Sequence, residues 1–141
     1  MQTSARNAFE GRVASIEPGA VNAVVTVDVG GDEPIVASIT KGSAERLGLS
    51  EGSPVTALIK ATSVIVTTAG GNPTSARNFL AGTVHEVARG AVNSVVTLDV
   101  AGGQRLTATV TNDSVDRLGL ASGVAAAGLF KASSVIVATG D

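Results

Sequence analysis

The chain has 141 residues, with ten Lys and Arg against twelve Asp and Glu for a formal net charge of −2, and it contains no Cys, Trp or Tyr. This balance supplies no global basic field for nucleic acid or acidic membranes, and the missing thiols exclude a disulfide scaffold and thiolate metal centres. Apolar residues make up 44% of the chain but include only three Phe, so any core is built from small aliphatic side chains that bury little area each.

Read in chain order, the segments are short and β-rich. Residues 12–16, 22–29, 35–40, 55–60 and 63–67 are runs of β-branched residues separated by Gly-containing turns. Within 22–29, Val25, Val27 and Val29 alternate with Val24, Thr26 and Asp28, which predicts one buried and one solvent-facing side. The turn Gly30-Gly31-Asp32 joins this run to the next as a hairpin. Ser43 is placed to cap a short helix through Leu47, with Glu45 in the first turn and Gly48 as its left-handed exit. The segment Ala69-Gly70-Gly71-Asn72-Pro73 has the punctuation of a linker.

The same series then repeats. Displaced by 71 residues, the sequence matches itself without a gap from Thr3 to Thr68, with about half of the aligned positions identical. Thr-Ser-Ala-Arg-Asn stands at 3–7 and 74–78, Gly-Ala-Val-Asn at 19–22 and 90–93, and Arg-Leu-Gly-Leu at 46–49 and 117–120. Val96, Leu98 and Val100 renew the alternation, and Ser114, Asp116 and Gly119 renew the helix signals. Two domains follow, residues 1–68 and 74–141, with 69–73 between them. Each is all-β, with five short strands and one short helix, which suits a small OB-like barrel; a small sandwich is the alternative. A repeat this short with no staple is marginal alone, so association is expected. In the second copy Ala125, Ala126 and Gly128 are expected to loosen a strand, and Phe130 replaces Ile59.

Catalytic signals are lacking. The single His85 corresponds to Ala14, the carboxylates Asp28, Asp99, Glu45 and Asp116 read as solvated or capping groups, and no serine has a base shared by both copies. The protein is therefore not expected to be an enzyme or to hold a metal cation. The recurring polar set is rich in donors: Ser4, Arg6, Asn7, Thr40, Ser43 and Lys60, then Ser75, Arg77, Asn78, Thr111, Ser114 and Lys131. Hydroxyls, guanidinium and ammonium groups without matching acceptors suit a small oxyanion, whose oxygens all accept hydrogen bonds. The plainer reading is of surface charges and a helix cap. Against it, these positions persist between copies while other exposed ones differ. Phe9, Phe79 and Phe130 sit among apolar neighbours and read as core, not as a stacking platform for bases. The opening residues lack the apolar centre of a secretory signal, and no run reaches the ~20 apolar residues of a membrane span. A cytoplasmic protein with no nucleic-acid or membrane partner is expected.

Ser-Ala-Arg-Asn at the domain start, Gly-x-Val-Asn, Ile/Val-Thr-x-x-Ser-x-x-x-Leu-Gly-Leu and Leu-x-Lys-Ala together resemble the Mop (TOBE-type) molybdate-binding domain, over both repeats. The resemblance implies an OB-like barrel with a strand exchanged between domains. It also implies a homotrimer of two-domain chains and bound molybdate or tungstate where domains meet, with no covalent cofactor. Carried over by position, it implies that Ser4, Ala5, Arg6, Lys60 and Ala61 form one side of a site, with Thr40 and Ser43 of a neighbouring domain on the other. Ser75, Ala76, Arg77, Lys131 and Ala132 with Thr111 and Ser114 do likewise. A second kind of site is implied at Gly19, Val21 and Asn22 and at Gly90, Val92 and Asn93. Storage or homeostasis of molybdenum is the function implied for a chain with no P-loop and no DNA-binding helix pair; an anion-sensing module acting through a partner protein is the alternative.

Overall fold

The computed structural model describes residues 2–140; Met1 and Asp141, the outer bounds of the two expected domains, lie outside the described residues. The elements of the first repeat are β1 (Asn7–Pro18), β2 (Asn22–Asp28), β3 (Ile35–Thr40), α1 (Lys41–Arg46), β4 (Pro54–Ile59) and β5 (Ile65–Thr67). The second repeat gives β6 (Asn78–Arg89), β7 (Asn93–Val100), β8 (Gln104–Thr111), α2 (Asn112–Leu118), β9 (Ala125–Phe130) and β10 (Ile136–Ala138). The all-β expectation holds, with five strands and one short helix per repeat. The first strand is longer than expected, since β1 takes in Asn7 to Gly11 as well as the β-branched run.

That length lets β1 serve two neighbours. Its first half pairs antiparallel with β4, Asn7 opposite Ile59, and its second half with β2, Arg12 opposite Asp28. A register shift between Val13 and Ser15 marks a bulge that bends the strand. Two residues before the bulge, a Cβ at Gly11 would run into the backbone carbonyl of Asp28; Gly82 meets Asp99 in the same way. Glycine is required there for close approach of two backbones.

Each curled sheet is completed by the other repeat. The strand orders are β10-β4-β1-β2-β3 and β5-β9-β6-β7-β8. Thus β5 crosses to pair with β9, Val66 opposite Gly128, and β10 crosses to pair with β4, Val137 opposite Ala57. The alternating faces read from sequence point inward: Val25, Val27, Val96, Leu98, Ile35 and Leu106 are fully buried, and they join one core that includes Val66 and Val137. The association that a small aliphatic repeat requires is therefore met within the chain. The Gln104 side-chain amide adds a further tie by donating to the Val29 carbonyl.

Several local expectations need correction. Gly128 does not loosen β9, because a Cβ there would collide with Leu106 Cδ2 and come within 3.1 Å of Val64 Cγ1, so the missing methyl makes room for the exchanged segment. Thr40, not Ser43, caps α1, and Thr111 caps α2. Glu45 lies beyond the first turn, and Asp116 is held by Arg89 instead of capping. The left-handed exits at Gly48 (φ 64°) and Gly119 (φ 65°) are present. Phe9 and Phe130 are core, whereas Phe79 is only half-buried.

Because each sheet borrows a strand, the two repeats are expected to unfold together. Val137→Asp should lower stability by about 3 kcal/mol or more by placing a carboxylate where a valine is buried. Urea denaturation followed by far-ultraviolet circular dichroism should still give one transition, and two separate transitions would contradict the shared core.

Candidate functional site

The seam between repeats is organised around two buried amides. Asn7 opens β1 and is 2% exposed. Its Nδ2 donates to the Ile59 carbonyl at 3.1 Å and to the Thr107 carbonyl at 2.8 Å, while its Oδ1 accepts from the Thr107 N–H at 2.7 Å. The side chain thereby acts as one more peptide group along the free edge of β8. Asn78 repeats the device on β3, accepting from Val36 N–H at 2.7 Å and donating to Val36 carbonyl at 2.8 Å. Both asparagines are members of the recurring donor set, and their amides join the repeats.

At the first seam the Asn7 amide brings expected anion residues together. Asn7 follows Ser4, Ala5 and Arg6 directly, Ile59 precedes Lys60 and Ala61, and Thr107 leads to Thr109 and Thr111. A cleft of about 410 Å³ is accordingly lined by Ser4, Ala5, Arg6, Lys60, Ala61, Thr62 and Thr109. Thr62 and Thr109 also line an adjoining cleft with Thr111, Ser114 and Arg117. Within one chain, then, the Ser4–Arg6 and Lys60–Ala61 group lies across from Thr111 and Ser114. Thr40 and Ser43 occupy a corresponding cleft on the other seam, with Arg46, Ser133 and Val135. Lys131 and Ala132 immediately precede that wall, and Ser75, Ala76 and Arg77 lead into Asn78.

The chemistry of the set is one-sided. Thr40 Oγ1 accepts from Ser43 N–H at 3.1 Å and is placed to donate to Ser43 Oγ at 2.8 Å, which leaves the serine proton for an outside acceptor. Thr111 and Ser114 show the same arrangement at 3.2 and 2.9 Å. Arg6, Lys60, Arg77 and Lys131 are exposed, and none has a carboxylate partner among the described residues. Arginine 89, by contrast, is bonded to Asp116 at 2.8 and 3.0 Å and holds that carboxyl below its usual range.

The Gly19–Asn22 and Gly90–Asn93 segments are tight turns closed by Gly19 N–H to Asn22 carbonyl at 2.8 Å and Gly90 N–H to Asn93 carbonyl at 2.9 Å. Asn22 reaches the Thr40 cleft, whereas Val21 and Val92 stand 73% and 72% exposed at the tips. His85 is an exposed member of a cluster in which Asp99 lies 3.3 Å from its Nδ1 and 2.9 Å from Arg105 Nε. The hydrogen bond from Arg105 keeps the Asp99 carboxyl below its ordinary value. Among the described residues no group of His, Asp or Glu is gathered to hold a metal ion.

Sequence reasoning left out Thr62, Ser133, Ser38, Thr109, Arg46 and Arg117, which line these clefts. A signal was present, since each pair keeps a hydroxyl or an arginine in both repeats. Replacing Asn7 with Leu leaves the Thr107 N–H and carbonyl unpaired at a buried seam, which should cost about 2–3 kcal/mol. Equilibrium denaturation of Asn7→Leu, and of Asn78→Leu for the second seam, measures this directly.

Comparison with known proteins places this geometry in a family. The TOBE domain matches twice, at residues 3–66 and 74–137. The chain is 48% identical over 139 residues to the molybdenum transport protein ModE of Herbaspirillum seropedicae, covering 98% of this chain and 52% of that protein. It is 44% identical over 140 residues to the molybdenum-pterin-binding protein MopA of Rhodobacter capsulatus, again covering 98% and 52%. The chain thus spans about half the length of the curated relatives it matches. A solved structure of the cytoplasmic molybdate-binding protein ModG with molybdate bound superposes with a TM-score of 0.95 at 43% identity, covering 99% of this chain and 100% of that one. The paired OB-like sheets, the repeated motif and these matches agree: the chain belongs to the TOBE domain family, as a tandem pair.

Proposed function

We propose that this chain binds molybdate, and tungstate, as free dianions at the seams between its repeats, and serves in storage or homeostasis of molybdenum in the cytoplasm. The observation that carries the reading is the convergence of hydroxyl donors and unpaired cations on a seam. Its main support from outside the chain is the whole-length likeness to a molybdate-bound structure. Ser4, Ala5, Arg6, Lys60 and Ala61 supply one set of contacts, and Ser75, Ala76, Arg77, Lys131 and Ala132 the other. Thr40 with Ser43, and Thr111 with Ser114, complete them from adjoining domains. Binding is hydrogen bonding and charge, with no bond made or broken, so the protein acts as a binder and not as an enzyme. Cations and hydroxyls around a dianion offset its loss of water.

The donor-rich lining also gives selectivity. Phosphate near neutral pH retains a proton that needs an acceptor, and a donor-only site leaves that proton unpaired. Sulfate carries no such proton and is discriminated by size alone. Residues 1–68 and 74–141 are the duplicated units, and three two-domain chains form the assembly. Val21, Val92, Ile65 and Ile136, all more than half exposed, provide apolar surface for contacts between chains. The turns at Gly19–Asn22 and Gly90–Asn93 would supply further anion contacts in that assembly. A second reading, an anion-sensing module acting through a partner, is favoured by relatives about twice as long, in which the tandem pair is joined to additional chain.

Isothermal titration with molybdate, tungstate, sulfate and phosphate tests the proposal: the first two should bind, and phosphate should bind far more weakly. Arg6→Ala and Lys60→Ala should each weaken molybdate binding at the first-repeat sites about tenfold or more, the value of a charge-assisted hydrogen bond. Sedimentation should show an unchanged oligomer. Equal affinity for all four anions would defeat the selectivity argument.

A further inference from the structure

The cleft around Thr40 and Ser43 and the cleft around Thr111 and Ser114 are built from corresponding residues of the two repeats, but they differ in charge. Each has an arginine in its wall, Arg46 in one and Arg117 in the other. Arg117 reaches Ser114 Oγ with Nη2 at 3.4 Å, while its Nε lies 3.7 Å from Asp113 Oδ2. In the first repeat Asp113 is replaced by Gly42 and Asn112 by Lys41, so Arg46 has no ion-pair partner among the described residues. The remaining acid of α2, Asp116, is neutralised by Arg89, whose counterpart is Pro18. With Arg89 included, the charged groups on and against α2 cancel, whereas Lys41, Glu45 and Arg46 of α1 leave a net positive charge.

We infer that Arg46 and Arg117 are anion-contacting residues of these clefts and that Asp113 makes the two unequal, the Arg46 cleft holding a dianion more tightly than the Arg117 cleft. The inference rests on the oxyanion reading above. Asp113 acts in two ways: it draws the Arg117 guanidinium toward itself, and it adds a negative charge beside a dianion. Across about 8 Å of water a single charge changes the affinity for a dianion about fivefold.

The test is titration of the full-length chain with molybdate at about 10 mM ionic strength, where charges interact over ~30 Å. The unmodified protein should show two classes of site whose affinities differ about fivefold. Asp113→Asn should tighten the weaker class, and Gly42→Asp should weaken the tighter class, each by about that factor. Gly42 can take the side chain, since nothing lies within 4 Å of a Cβ built there. Arg46→Gln should weaken the tighter class while circular dichroism remains unchanged. At about 1 M salt, with screening over ~3 Å, the effects of Asp113→Asn and Gly42→Asp should vanish. Molybdate binding by the unmodified chain that neither Asp113→Asn nor Gly42→Asp shifts by as much as twofold overturns this inference alone. Absence of binding by the unmodified chain removes the oxyanion reading and this inference with it.

Discussion

The amide of Asn7 lying against the edge of β8, and that of Asn78 against β3, is the contact on which the arrangement of the seams depends. An exposed sheet edge offers unpaired N–H and carbonyl groups, and a neighbouring strand is the usual way to satisfy them. Here one side chain serves as a one-residue strand. It carries the donor and the acceptor of a peptide group and fits a single register on the edge. Because Asn7 also holds the Ile59 carbonyl, the opening of β1, the end of β4 and the middle of β8 cannot slide independently. The residues flanking those three points are the ones that line the first seam cleft. The rigidity of the proposed binding constellation thus comes from a buried group beside it.

Charge is distributed with the opposite logic. Away from the seam clefts some ions are paired, as in Arg89 with Asp116 and Arg105 with Asp99. At the seams the protein leaves Arg6, Lys60, Arg77 and Lys131 without carboxylates. Arg6 and Lys60, which line one cleft without counterions, repel each other, and a dianion bound there as proposed would relieve that repulsion. Ligand binding and stability of the seam are therefore linked, and occupancy should stabilise the folded chain as a whole.

Much of this was legible in the sequence because duplication gave an internal comparison. The alternation of Val25, Val27 and Val29 identified a buried face, and its recurrence at Val96 and Leu98 identified the same face again. The recurring donors could be listed, but their tasks could not be separated. Asn7 and Arg6 are adjacent and equally persistent, yet one is buried in backbone bonding and the other is exposed. Only the position of β8, about a hundred residues away, decides between them. Thr40 and Ser43 are both competent caps in sequence, and the extended backbone at Thr40 makes the choice (φ −70°, ψ 149°). Gly128 is ambiguous in sequence for a similar reason. A glycine in a strand looks like a weakness until Leu106 and Val64, one from each repeat, are seen to fill its space. Arg46 and Arg117 recur in both repeats, but an arginine in a helix is ordinarily a solvated charge, and only the clefts distinguish them.

The exchanged strands also bear on how the chain comes apart. The connection through Gly70 and Gly71 is exposed, yet cutting it would not free the halves. Each fragment would keep its closing strand inside the other's sheet, so separation would require both to open at once. The two lobes are held by exchanged strands as well as by the shared core, and their lifetime as a pair depends on how fast those strands peel away. The same crossing gives assembly a long-range step, since the outer edge of β4 is covered only by β10, one of the last segments of the described chain.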